Sequence, residues 1–231
     1  MAVLSTLAAQ ARDWCLTGRD LLFPEAPETG RPARPIEPPF CQRCGEPFYG
    51  DLDLAFSCTN CGRRPWSLEW ARAGFIAEGA VRDAIHAFKY GGHYHQVTRL
   101  GAWLDQAYEA HASAGGWDAL VPVPLHPLRR RERGFNQSAE LARELSRKRW
   151  IPMRPCLNRS KETVSQARQG RAARLRNLRN AFNLKSRFDV RGQNLLLIDD
   201  VFTTGATADA CAHALRKVGA ARVCVLTVAR G

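Results

Sequence analysis

The spacing of apolar and polar residues changes several times along this chain. Leu4, Leu7, Ala8, Ala11, Trp14 and Cys15 recur at helical spacing, which predicts a short helix within residues 1–23. Residues 24–39 then carry six prolines, at 24, 27, 32, 35, 38 and 39. Such a composition prevents regular structure and marks a linker or extended insertion. From residue 66 onward, short apolar runs alternate with amphipathic stretches. The alternation predicts strands at 72–77, 119–123, 194–198 and 222–229, with helices at 79–89, 96–111, 137–149 and 206–218 and a second basic helix over 171–182. The runs LLLI (195–198) and VCVLTV (223–228) are apolar on both faces, as a parallel sheet covered by helices requires. The predicted fold class is therefore α/β, a mainly parallel sheet flanked by helices. The predicted organisation is a helix and Pro-rich linker over 1–39, a Cys-rich module over 40–65 and the α/β domain over 66–231.

A length of 231 residues fits one ordinary domain plus a small module. With 45% apolar and 24% charged residues, disordered and collagen-like classes are excluded for most of the chain. No apolar run approaches the ~18 residues needed to span a bilayer, and Arg12 and Asp13 interrupt the start where a secretory core would continue. These features predict a cytoplasmic protein with no membrane insertion. Charge changes the picture more. The net charge is +12, and residues 129–191 hold 19 Lys and Arg against five acids, so this one segment carries +14 and the remainder −2. Such a segment points to a phosphate-rich partner, nucleotide or nucleic acid.

Four of the eight cysteines carry a second signal. Cys41, Cys44, Cys58 and Cys61 form two C-x-x-C pairs, CQRCG and CTNCG, each followed by glycine. Two thiolates per turn reach one ion, and Gly45 and Gly62 permit the tight backbone that aims N–H groups at the sulfurs. A redox site needs only one such pair, so the spacing predicts zinc in a closed, structural site. Arg43, Arg63 and Arg64 are near enough in sequence to offset its thiolate charge. Cys15, Cys156, Cys211 and Cys224 read as core, His93 and His95 as neutral loop histidines, and the six tryptophans as core or interface residues.

The densest chemistry lies in LLLIDDVFTTGAT, residues 195–207. A buried strand leads to Asp199 and Asp200, expected beyond the strand's carboxyl end, where ligands of open α/β sheets bind. Paired carboxylates there accept hydrogen bonds from a ribose diol. Thr203, Thr204, Gly205, Ala206 and Thr207 then supply backbone N–H groups and hydroxyls at a helix N-terminus, a cradle for phosphate. There is no G-x-G-x-x-G and no G-x-x-x-x-G-K-[ST], so dinucleotide folds and P-loop NTPases lose their main support.

This stretch resembles the phosphoribosyl-pyrophosphate (PRPP) signature of the type I phosphoribosyltransferases. FKYGG at 88–92, VPVPLHPLRRRERGFNQSAELA at 121–142 and SQARQGRAARLRNLRNAF at 165–182, behind the four cysteines, make the chain similar to the ComF/GntX family over roughly residues 41–231. The resemblance implies a type I phosphoribosyltransferase-like domain behind a small zinc-ribbon module. It implies that Asp199 and Asp200 hold the ribose hydroxyls and that residues 203–207 hold the 5′-phosphate. Lys89, Tyr90 and Gly91 would form the pyrophosphate loop. Residues 129–137 would form a flexible hood bringing Arg129, Arg131 and Arg133 to pyrophosphate oxygens. His126, just before the hood, reads either as a pocket-lining residue or as a turn cap. A magnesium ion bridging pyrophosphate and ribose is implied as well.

Two functional readings follow. One is a phosphoribosyltransferase of the ComF type, linked to natural competence and uptake of transforming DNA, that releases pyrophosphate to an unidentified acceptor; catalysis would fall to Asp199, Asp200, Lys89, Arg131 and Arg133. The other is a non-catalytic PRPP sensor that binds single-stranded DNA, with Arg171, Arg174 and Arg179 on one helical stripe as the nucleic-acid contacts. The resemblance also implies competence-machinery proteins as candidate partners.

Overall fold

Runs that are apolar on both faces have to be covered on both faces, and this chain does so with helices. The computed structural model describes residues 31–50, 56–62, 64–90, 94–159 and 181–231. In chain order the elements are α1 (Thr59–Gly62), β1 (Ala71–Ile76), α2 (Gly79–Tyr90), α3 (Gln96–His111), β2 (Ala119–Pro122), α4 (Pro127–Arg133), α5 (Gln137–Arg149), β3 (Leu157–Arg159), β4 (Phe182–Leu184), β5 (Asn194–Phe202), α6 (Ala206–Lys217) and β6 (Arg222–Arg230). Strands β1, β6, β5 and β2 lie side by side in that order, all parallel. Register is set at the centre by Leu197 opposite Val225 and Asp199 opposite Thr227. Among the described residues no helix is long and apolar enough to cross a membrane.

Alternate residues of the central strands point to opposite layers. Leu196, Ile198, Cys224, Leu226 and Val228 face a layer holding Phe88 of α2, Leu100 and Leu104 of α3, and Leu141 and Leu145 of α5. Leu195, Leu197, Val223 and Val225 face the other, with Cys211 and Leu215 of α6, Phe182 of β4 and the cysteines Cys41, Cys44 and Cys61. The four-cysteine module thus shares one apolar cluster with the sheet, and Pro32–Gly231 forms one compact unit. Cys156, Cys211 and Cys224 are fully buried in these layers, as their apolar flanks imply.

Helices α3 and α5 match the periodicity reading to the residue, and the predicted strands and other helices are found within one or two residues at most ends. Four expectations are corrected. The strand expected to stop at 198 continues through both aspartates to Phe202, because β6 runs alongside and supplies partners as far as Arg230. Residues 181 and 182, read as the end of a basic helix, instead form a turn and open β4, which pairs antiparallel with β3; residues 171–180 of that helix lie outside the described residues, as does the helix read over 1–23. The hood is not a loop throughout: Pro127 at the first turn and Gly134 at φ 78 bracket a short helix. Finally, the end of the Pro-rich stretch is ordered along the open edge of β1. Ile36 N–H donates to Gly74 O at 2.9 Å and Ile76 N–H to Arg34 O at 2.9 Å. Proline lacks a donor, but Pro35 sits opposite Phe75, between the two bonds, where no donation to the strand is needed.

Candidate functional site

The carboxyl ends of β5 and β2 and the start of α6 converge on the two aspartates. Consecutive strand residues face opposite ways, so neighbours in sequence acquire different surroundings. Asp199 Oδ1 accepts a hydrogen bond from Ser138 Oγ at 2.7 Å and from the Asp200 N–H at 3.0 Å. Burial, then the charge of Asp200, pushes its carboxyl up to about 7, while Ser138, the Asp200 amide and Lys89 pull the other way. Asp200, itself buried, has Lys89 Nζ 2.6 Å from its Oδ2 and accepts the Val201 N–H at 2.8 Å. Lys89 arrives from the last turn of α2, where a cation also complements the helix dipole.

Ser138 was not singled out as a site residue in the sequence. Its placement depends on Asn136, which caps α5 by accepting from the Ser138 N–H at 3.2 Å and donates to Val123 O at 3.0 Å, tying the helix start to the end of β2. The motif G-F-N-Q-S carried that capping signal.

The hood leans on the α2 terminus. Arg133 donates to the Tyr90 hydroxyl at 2.9 Å, lies 4.7 Å over its ring, and donates to Gln137 Oε1 at 3.1 Å. Phe135 packs between Phe88 and Tyr94, which anchors the hood's far end. Arg129 and Arg131 project from α4 into solvent. His126 caps α4, its Nδ1 accepting from the Leu128 N–H at 3.3 Å. Gly91 and His93, with Arg171, Arg174 and Arg179, lie outside the described residues. His95 opens α3, and its ring contacts Gln96 at 3.3 Å.

Beyond Phe202 the chain turns at Thr203–Thr204–Gly205 into α6, with Gly205 at φ +69. A Cβ there would lie 2.4 Å from Phe202 and 2.8 Å from Trp66, so glycine is required for both conformation and space. Thr203 and Thr204 are exposed at the mouth of the site. The turn thus places hydroxyls and the N–H groups of a helix start beside the acidic pair, with the Thr204 hydroxyl accepting the Ala206 N–H at 3.4 Å.

The four cysteines meet as their spacing implies. Their sulfurs all lie within 4.8 Å of one another, with Cys44 and Cys58 at 3.7 Å. Four Zn–S bonds of ~2.3 Å at tetrahedral angles require sulfurs about 3.8 Å apart, so the set fits zinc. Burial raises the Cys41 thiol, but the N–H groups of Cys44, Cys58 and Arg43 outweigh it, leaving it at about 7. Burial holds Cys44 up at about 11 and raises Cys61 as well, so binding the ion also releases protons. The cations expected to offset the sulfurs are engaged elsewhere. Arg43 donates to Leu68 O and Glu69 O at 3.2 and 2.9 Å. Arg64 donates to Thr204 O at 3.2 Å and pairs with Asp209 at 3.1 Å; Arg63 is outside the described residues. Arg72 is the described guanidinium whose charge the Cys41 and Cys44 thiolates stabilise, against the cost of its burial.

Comparison with known proteins agrees with this geometry. Residues 104–231 match the model of the phosphoribosyl transferase domain. The chain is 38% identical over 212 residues to competence protein F of Haemophilus influenzae, covering 83% of this chain and 85% of that one. It is 39% identical over 197 residues to competence protein ComFC of Bacillus subtilis, covering 82% and 77%. It is 32% identical over 198 residues to the DNA utilization protein YhgH of Escherichia coli O6:H1, covering 82% and 83%.

Proposed function

Because this chain belongs to the phosphoribosyl transferase domain family, in its ComF branch, we propose that it binds PRPP and transfers phosphoribose with release of pyrophosphate, in the service of DNA uptake or utilization. One observation carries the reading: half-buried Asp199 and buried Asp200 run directly into the Thr203–Thr207 turn, and Lys89 reaches Asp200 at 2.6 Å. Asp199 and Asp200 accept the ribose hydroxyls. The turn's amides and threonine hydroxyls hold the 5′-phosphate. Lys89 and the hood arginines Arg131 and Arg133 supply positive charge where pyrophosphate departs. The C1′–O bond breaks with its electron pair leaving on pyrophosphate, and the acceptor's lone pair forms the new bond to C1′. The hood's folding over α2 excludes water from that centre. The oxygen-only donor set of the aspartates suits magnesium, whose chemistry would be to neutralise charge on the leaving group.

The test is calorimetry with PRPP, with and without magnesium, followed by measurement of pyrophosphate release with candidate acceptors. Saturable heat that requires magnesium supports the site; no heat at millimolar PRPP overturns it. Heat without release under any acceptor favours the sensor reading. The +14 balance of residues 129–191 and the relatives named for competence and DNA utilization support single-stranded DNA as a partner. Replacing Arg171, Arg174 and Arg179 with Glu should then abolish single-stranded DNA binding in an anisotropy titration and leave PRPP binding intact. Unchanged DNA binding by that variant removes the stripe from the interface.

A further inference from the structure

The turn read above as the phosphate loop is held from behind by two arginines, and each is mounted on a different C-x-x-C knuckle. Arg230 Nη1 donates to Phe202 O at 3.0 Å and Thr203 O at 2.6 Å. Arg64 Nη1 donates to Thr204 O at 3.2 Å. Three successive carbonyls are thereby turned toward guanidinium groups. In a trans peptide the N–H points opposite its carbonyl, so the same contacts aim the N–H groups of Thr203, Thr204 and Gly205 away from the arginines.

The mounts lie in the cysteine module. Arg64 follows Cys61, whose carbonyl accepts the Arg64 N–H at 3.4 Å. Its guanidinium rests 4.0 Å over Trp66 and pairs at 3.1 Å with Asp209, a buried carboxylate of the first α6 turns that also accepts the Ser67 N–H at 2.7 Å. Trp66 stacks on Phe202, closing the space a side chain at 205 would need. Arg230 pairs with Glu46, two residues after Cys44, and the Glu46 carbonyl accepts the Cys41 N–H at 2.8 Å. One ion shared by the two knuckles would set the distance between the two guanidinium groups.

We propose that Arg64 and Arg230 are positioning residues for the phosphate loop and that the metal-bound module is their mount, so that metal occupancy tunes 5′-phosphate binding without touching substrate. The inference rests on reading residues 203–207 as that loop. It differs from a purely stabilising role in being local and confined to one end of the substrate.

Hydrogen exchange and calorimetry on the full, zinc-loaded chain test it. Arg64→Ala should speed exchange of the amides at 203–207 by about tenfold or more, the scale of one charge-assisted hydrogen bond, and leave the β5 and β6 core amides unchanged. Glu46→Gln, well removed from the loop, should give a smaller increase at the same amides. Affinity for PRPP and for inorganic phosphate should fall about tenfold in Arg64→Ala, while pyrophosphate, held on the Lys89 side, binds as before. Chelating the metal from the wild type should reproduce the loop exchange of Arg64→Ala and add little to it in the Arg64→Ala, Glu46→Gln double variant. Loop exchange identical to wild type in both single variants overturns the inference, whatever PRPP does. A uniform rise across the sheet overturns it too, since that marks general destabilisation. If the wild-type chain binds neither PRPP nor phosphate while the local exchange pattern is found, the brace stands and the functional reading falls.

Discussion

The two ends of the site are built on opposite plans. At the proposed phosphate end, three carbonyls are already engaged by Arg64 and Arg230, and Gly205 is packed against Trp66 and Phe202. At the proposed pyrophosphate end, two cations are held by internal partners: Lys89 pairs with Asp200 and Arg133 donates to Tyr90. The first end is organised before a ligand arrives. Under the proposed function the second would exchange internal partners for phosphate oxygens, so part of its binding free energy would be spent breaking contacts. On that reading the contrast would separate affinity, set at the first end, from commitment, set by rearrangement at the other.

The largest effect should come from dismantling the mount of the rigid end. Elemental analysis of the wild type should give one zinc per chain, and Cys61→Ser should eliminate it, because structural zinc contributes ~10 kcal/mol or more of folding free energy in small modules. Residues 40–65 should loosen and the brace behind the loop with them. Iron, or no metal, in freshly purified wild type would refute the assignment.

Next in size is the acidic pair. Asp200→Ala should weaken PRPP by about 100-fold, since it removes charged acceptors worth ~1.5–3 kcal/mol each and strands Lys89. Asp199→Ala should weaken PRPP as well. Calorimetry showing wild-type affinity in both would dissolve the contrast between the two ends.

A moderate effect should appear in stability against pH. Asp199 rises from 3.8 to about 7 in the fold. Its proton is therefore held more tightly folded than unfolded, and stability falls as pH rises between about 4 and 7. Asn in its place should unfold at a higher temperature than wild type at pH 8, with the advantage fading below about pH 4. An advantage that does not change with pH would mean that Asp199 titrates normally. Smallest should be Thr204→Val. It removes one exposed hydroxyl and leaves the pinned backbone in place, so PRPP affinity should drop by no more than about tenfold. A larger loss would show that the threonine hydroxyl, not the backbone, is the main phosphate donor.

How far the sequence alone reaches depends on separation along the chain. The four-cysteine cluster, the β5–turn–α6 stretch and the boundaries of α3 and α5 are written in neighbouring residues, whose relative positions follow from helix, strand and turn geometry. That is why C-x-x-C spacing and D-D-V-F-T-T-G were readable at once. Other features join residues far apart: Ser138 on Asp199 across 61 positions, Arg64 on Asp209 across 145, Glu46 on Arg230 across 184. No local pattern encodes these pairings. Ser138 reads in sequence as an ordinary first-turn residue and Arg64 as a cation beside thiolates. Strand β5 was cut short for the same reason: two adjacent acids look like a strand's end until β6 lies alongside them. The sequence by itself determined the α/β class, the paired C-x-x-C motifs and the acidic loop. Tertiary structure decided which acid faces a hydroxyl and which a lysine, and which arginines brace the loop. Those choices depend on which strand and helix ends are brought together, a packing outcome that no short stretch of chain contains.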